Sequence, residues 1–276
     1  GLTIANLFKQ NSNFEIVVYE KEKILSLEEG YGIQLAPNSI SILNKIGLSS
    51  IDNKEFSNPS NLNFYSSDNH KICDLNLSRF NSEEFKYTTL KRSVLIEFLK
   101  NKLFANNLRF GKEVKKISQI KEKLLINFKD NTNDLVDFIV VSDGVFSNTK
   151  SIVENKSIQP VYNGSIAIRT ILKNLPDSNY DKNSISLIML KNAHIVIYPI
   201  NKKGEFNVVC IIRQKLSNNI DLKALIKKEI IPQNKNLESL FVNKLEYWPI
   251  YTSKKPSKSI YENLFYIGDA FFTFPP

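Results

Sequence analysis

The sequence predicts an α/β protein in which a parallel sheet domain is interrupted by a second, mainly antiparallel β-sheet domain. Three observations predict it. Helical spacing gives way to a short apolar strand at the start of the chain. From about residue 162 to residue 213, four β-rich runs follow one another without a helix, and one apolar strand returns near residue 264. Helix, strand and helix, then an antiparallel stretch, then a lone late strand is the order expected when one domain is inserted into a parallel one.

Each element has its own justification. Residues 2–10 space their apolar positions as a helix does, and residues 14–19 (FEIVVY) put β-branched and aromatic residues into a short buried strand, which makes a parallel unit. A second helix is expected from about 37 to 45, with Pro37 in its first turn and Gly47 as its C-cap. A longer one spans 91–104, where Val94, Leu95, Phe98, Leu99 and Leu103 recur at three- and four-residue steps. Residues 113–118, 124–128 and 137–141 read as strands separated by polar turns. The runs 166–172, 186–190, 194–200 and 206–212 form a meander, with a turn at 201–204. A lysine-rich helix at 222–230 follows, then the aromatic segment Tyr247, Trp248 and Pro249, then the strand 264–267. The strands 14–19, 137–141 and 264–267 are expected to share one sheet.

Composition excludes several classes. With 276 residues, 42% apolar and 24% charged, the chain has a full-sized core and is neither disordered nor collagen-like. No stretch approaches the roughly 18 apolar residues of a membrane-spanning helix, so a soluble, cytoplasmic protein is expected. Cys73 and Cys210 fit neither a disulfide framework nor a zinc site, and both read as buried thiols; no metal is expected. The net charge of +9 raises the question of nucleic acid. The lysines are scattered among acids and 33 asparagines, without a basic run or an RNA- or DNA-binding pattern, so no nucleic-acid partner is expected. The diffuse charge still helps to attract anionic ligands.

Five constellations carry candidate chemistry. Glu20 ends the strand 14–19, about 20 positions after Gly1, where dinucleotide folds bind a ribose. Residues 29–38, from Glu29 and Gly30 to Asn38, form a glycine-containing loop entering a helix. Arg92 stands at the start of an amphipathic helix, within reach of a phosphate or similar group. Ser142-Asp143-Gly144 follows a buried strand, with Ser147 as a helix N-cap. Gly268-Asp269-Ala270 follows another, where a carboxylate accepts a ribose or ribitol hydroxyl. Taken singly, each is as readily a turn or a solvated strand end.

Taken together and in order, they resemble the flavin-dependent aromatic hydroxylases, the group A monooxygenases, and among these the salicylate-hydroxylase-like branch. The matching residues are Gly1-Leu2-Thr3-Ile4-Ala5, Glu20, Gly32-Ile33-Gln34-Leu35-Ala36-Pro37-Asn38, Arg92-Ser93-Val94-Leu95, Ser142-Asp143-Gly144-Val145-Phe146-Ser147, and Gly268-Asp269-Ala270 with Pro276. The resemblance implies a Rossmann-like FAD/NAD(P)-binding domain at 1–58, 85–158 and 259–276, and a substrate domain at 59–84 and 159–258. It implies an oxidoreductase that uses FAD, NAD(P)H and dioxygen to hydroxylate a phenol- or benzoate-like small molecule. By the same resemblance Gly1, Glu20, Arg92, Asp143 and Asp269 bind the cofactor. Both ends of the sequence look cut inside structure, so the chain is expected to be a fragment, inactive alone.

On the substrate side, His194 and Tyr198 match the family's H-x-x-x-Y-P strand, alternation puts them on one face with Val196, and Arg169 lies in the preceding strand. A histidine on a strand is also commonly structural, and His70 reads as a surface residue. No catalytic acid, base or nucleophile is named. Two other readings stay open: flavin-dependent oxidation of a quinone precursor, a nicotinate-like ring or a polyketide, and a degenerate, flavin-free binding module.

Overall fold

A computed structural model describes residues 1–24, 31–176, 180–217 and 219–275, so Glu29, Gly30 and Pro276 of the sequence motifs lie outside the described residues. The fold is mixed α/β and rich in sheet. It divides into two compact units, one of residues 1–26, 99–163 and 250–276, the other of residues 27–98 and 164–249. The division departs from the boundaries expected from sequence, because 27–58 and 85–98 group with the large sheet. Their strands Gly32–Leu35, Phe56–Ser57 and Thr88–Lys91 form a small antiparallel sheet. Thr89 ties that sheet to the large one by donating to the Pro199 carbonyl at 2.5 Å.

In the first unit, the helix Leu2–Phe8 is held by Asn6, whose buried amide donates to the carbonyls of Leu2 and Leu99. Val18–Tyr19 pairs in parallel with Leu108–Arg109, and Ile139–Val141 pairs in parallel with Leu264–Tyr266. These are separate ladders, which corrects the expectation of one sheet holding all three strands. The reason is local. Phe14 stacks its ring against Phe8 and Phe138, so this part of the segment meets its neighbour through side chains and only Val18 and Tyr19 form a backbone ladder. A three-stranded antiparallel sheet (Val114–Ile120, Lys123–Phe128, Asn133–Val136) adds Ile117 and Leu124 to a core with Val141, Val153, Leu264 and Ala270.

The second unit is built on a seven-stranded sheet. Its order is Glu246–Thr252, Val161–Leu172, Phe206–Arg213, Ala193–Pro199, Ile185–Leu190, Asn61–Tyr65 and Lys71–Asn76. The meander 161–213 is antiparallel throughout, and Ile185–Leu190 runs parallel to Asn61–Tyr65. Alternation and register put Ile166, Ile168, Cys210, Ile212, Ile195 and Ile188 on one face, all at most 2% exposed. The helix Leu222–Glu229, capped by Asp221, leads into Gln233 and Asn234, which bond to the Lys191 and Ser67 backbones. Cys210 is buried as expected, but Cys73 is exposed: it sits on the edge strand Lys71–Asn76, where every residue faces solvent. Among the described residues no helix is long and apolar enough to cross a membrane.

Candidate functional site

The first group of candidate residues gathers at the ends of the parallel pair in the first unit. Ile139–Val141 and Leu264–Tyr266 run side by side, and the Ile267 N–H donates to the Val141 carbonyl at 3.0 Å. Ser142-Asp143-Gly144 and Gly268-Asp269 therefore leave the sheet at the same end, where open α/β sheets bind ligands. Both motifs need glycine for the backbone: φ is +83° at Gly144 and +57° at Gly268, the left-handed region that side chains disfavour. Asp143 accepts from the Thr149 hydroxyl at 2.7 Å, and Ser147 caps the helix Asn148–Val153 by accepting from the Lys150 N–H. The Asp269 carboxylate is exposed and has no partner among the described residues. Burial raises the Tyr266 hydroxyl well above its usual range, helped by the charges of Glu154 and Asp143, and its oxygen has no hydrogen-bond partner among the described residues.

Gly1 belongs to this group. A Cβ on it would stand 2.7 Å from the Ser142 hydroxyl, so the start of the helix Leu2–Phe8 lies against the Asp143 turn. Glu20 ends the other parallel pair of the unit, with its N–H on the Arg109 carbonyl and its carboxylate accepting from the Glu22 N–H. Arg92 lies in the second unit. Its backbone N–H bonds the Tyr31 carbonyl at 2.8 Å and its exposed side chain has no partner among the described residues.

The second group lies on one face of the seven-stranded sheet. Arg169 is opposite Val209, which is opposite Val196; one step along, Ile171, Asn207 and Tyr198 are in register, and His194 lies on the same face. The face grades from buried at Tyr198 and Asn207 to half-open at Val196, Val209 and His194. Burial holds the His194 imidazole below its ordinary value, so the ring is neutral at pH 7. Burial raises the Tyr198 phenol well above its usual range, against the pull of Arg169 and a hydrogen bond from Gln34. Gln34 also accepts from Tyr87 at 2.8 Å. His70 is exposed, beside Asp68.

Three participants were not assigned from the sequence. Tyr31 and Trp248 stack edge to face, 5.0 Å between centroids, and the Arg169 guanidinium lies 6.0 and 5.5 Å from the two rings. Asn207 accepts from the Gly32 N–H at 2.8 Å and is wholly buried. The signals were present: the chain has one tryptophan, and Asn207 is an amide inside the apolar run 206–212.

Comparison with known proteins agrees with this architecture. Residues 136–271 match the squalene epoxidase family. The 6-hydroxynicotinate 3-monooxygenase of Pseudomonas fluorescens is 27% identical over 180 residues, 62% of this chain and 44% of that protein, so the match spans less than half of the relative. The fold is that of Klebsiella pneumoniae HpxO complexed with FAD and uric acid (TM-score 0.84, 17% identity, 99% of this chain and 71% of that one). It is also that of a salicylate hydroxylase substrate complex (TM-score 0.79, 13% identity, 99% and 71%). The resemblance carried by the ordered motifs holds in sequence and in fold alike: the chain is similar to the FAD-dependent monooxygenases that hydroxylate aromatic rings.

Proposed function

We propose that the protein binds FAD and, with NAD(P)H and dioxygen, hydroxylates an aromatic small molecule in the cytoplasm. The observation that carries this reading is the emergence of Asp143 and Asp269 at one end of adjacent parallel strands, beside Gly1. The residues suit the cofactor. Gly1 leaves no room for a side chain against Ser142, while at Gly144 and Gly268 a Cβ would meet nothing within 4 Å, so the backbone is open to a close ligand. When bound, FAD supplies the redox chemistry, accepting electrons from NAD(P)H and delivering one oxygen atom of dioxygen to the ring. The protein contributes position: Asp143 and Asp269 accept ribitol or pyrophosphate-side hydroxyls, Glu20 accepts from the adenosine ribose, and Arg92 donates to the polar chain. Residues 1–58, 85–158 and 259–276 carry these cofactor groups and 59–84 with 159–258 the substrate side, where Tyr198, neutral His194 and Arg169 orient the ring.

A nicotinate-like ring is a second reading of the substrate, favoured over a quinone precursor or polyketide by the 6-hydroxynicotinate 3-monooxygenase match. Titration with excess FAD, followed by flavin fluorescence, tests the cofactor. Asp269→Ala removes a carboxylate with no structural partner, so its thermal midpoint should stay at the wild-type value. Loss of one charge-assisted hydrogen bond should weaken FAD about tenfold or more. NAD(P)H oxidation by the whole protein, rather than by these 276 residues alone, should quicken with phenols, benzoates or hydroxypyridines present. Wild-type FAD affinity in Asp269→Ala would remove Asp269 from the cofactor site, and no FAD binding at all would move the reading to a flavin-free module.

A further inference from the structure

Both backbone groups of Glu20 are held by residues whose side chains are fastened elsewhere. Its N–H donates to the Arg109 carbonyl at 2.9 Å, and its carbonyl accepts from the Lys112 N–H at 2.9 Å. Just beyond, the Gly111 N–H donates to the Glu22 carbonyl at 3.0 Å, and the Glu22 N–H donates to the Glu20 carboxylate. The ladder beneath these bonds is short, Val18–Tyr19 against Leu108–Arg109, and a ladder of that length frays when nothing else secures it.

Side chains secure it. One oxygen of Asp134 accepts from the Tyr19 hydroxyl at 2.5 Å and from the Arg109 guanidinium at 2.8 Å. The residue before Glu20 and the residue that receives its N–H therefore meet on one carboxylate. The Lys112 ammonium donates to Asp130 at 2.6 Å and to the Thr132 hydroxyl at 2.8 Å. Asp130 and Asp134 belong to the hairpin of Lys123–Phe128 and Asn133–Val136, and Tyr19 packs on its Phe128 with 4.8 Å between ring centroids. Burial, with the bond to Asp134 and its charge, holds the Tyr19 phenol well above its usual range, while bonds from Lys112 and Thr132 hold the Asp130 carboxyl down to about 2. At neutral pH the phenol thus keeps its proton and Asp130 its charge.

We propose that Asp130 and Asp134 are positioning residues for Glu20, a two-point clasp by which the hairpin fixes where the Glu20 carboxylate stands for the adenosine ribose. This rests on the reading of Glu20 under the proposed function and deepens it. The aspartates act through Tyr19, Arg109 and Lys112. Partly exposed ion pairs add little to global stability, so their effect falls on one strand end rather than on the whole fold. A ligating carboxylate is only as well placed as the groups that support it.

A cycle of variants separates this role from a merely structural one. In the 276-residue chain, Asp130→Ala and Asp134→Ala together should weaken FAD about tenfold. In a Glu20→Ala background the same pair should change the affinity less than about twofold, because the group they position is gone. The same loss in both backgrounds overturns the proposal, as does wild-type affinity in the paired variant. A second reading needs no cofactor. Amide hydrogen exchange at the Glu20 and Lys112 N–H groups should quicken about tenfold in the paired variant, with the Ile267 N–H on the other ladder of the unit unchanged. Wild-type exchange at Glu20 overturns the proposal. Should the paired variant lose its circular dichroism, Asp134→Asn, which keeps an acceptor for Tyr19 and removes the charge facing Arg109, decides by the same exchange. A chain that ignores FAD fails the cofactor reading alone, and exchange at Glu20 still decides whether the hairpin holds it.

Discussion

Gly32→Ala tests the packing that supports the substrate-side face. A Cβ at this position would stand 2.5 Å from the Ile200 Cγ2, 2.8 Å from the Asn207 Cβ and 2.8 Å from the Tyr198 Cε2. Three neighbours crowd it at once, and all are buried at 4% exposure or less, so none swings away into solvent. Overpacking of this kind costs about 1–3 kcal/mol. Moving the strand outward instead stretches the Gly32 N–H bond to Asn207, a loss of roughly 0.5–1.5 kcal/mol. With part of the clash kept and part of the bond lost, the variant should be about 1–3 kcal/mol less stable, a fall of roughly 2–12 °C in thermal midpoint for a chain of this size. Urea unfolding followed by far-ultraviolet circular dichroism gives the difference. A variant within about 0.5 kcal/mol of wild type would refute the reasoning, because that is the range of an unconstrained surface change.

Two further outcomes are expected. Burial pushes the Cys210 thiol up to about 12 while Cys73 is exposed, so at mildly alkaline pH a thiol reagent should titrate one cysteine in the native chain and both in denaturant; two fast native thiols would contradict the burial. His194 is held below its ordinary 6.5 by burial, so as pH falls the unfolded chain takes up that proton before the folded one. The stability it carries is complete above 6.5 and is lost as pH falls toward the folded value. His194→Asn should therefore lose less of its urea midpoint between about pH 7.5 and about pH 5.5 than wild type, and an equal loss would refute the assignment.

The meander was legible because its strands are long apolar runs bounded by turns, and the isoleucines that identified them are the ones buried to completion. The Asp-Gly and Gly-Asp motifs were legible because positive φ demands glycine and each motif stands directly after an apolar strand. Gly32–Leu35 and Thr88–Lys91 were not. Their letters, GIQL and TTLK, are four residues each, too short for a strand pattern to stand out, and Thr88 and Thr89 are buried by partners distant in sequence. For the same reason the grouping of 27–58 with the large sheet was not legible: the bond from Gly32 to Asn207 spans 175 positions. The stacking of Tyr31 on Trp248 beside Arg169 is equally a product of the fold, since local spacing says nothing about three residues brought together by separate strands.

The strand Lys71–Asn76 ends the large sheet, and among the described residues nothing pairs with its outer side. Such a border is a template for further strands, and Ile72 and Leu75, both exposed, would reward any copy that docked there. Two features stand against it. The ladder to Asn61–Tyr65 is irregular between Phe64 and Tyr65, which bends the border, and Lys71 and Asp74 bind each other at 2.6 Å, keeping charge along it. Protection of this border against edge-to-edge pairing therefore rests on a handful of residues along the edge itself, and salt strong enough to screen that ion pair weakens one of its two guards.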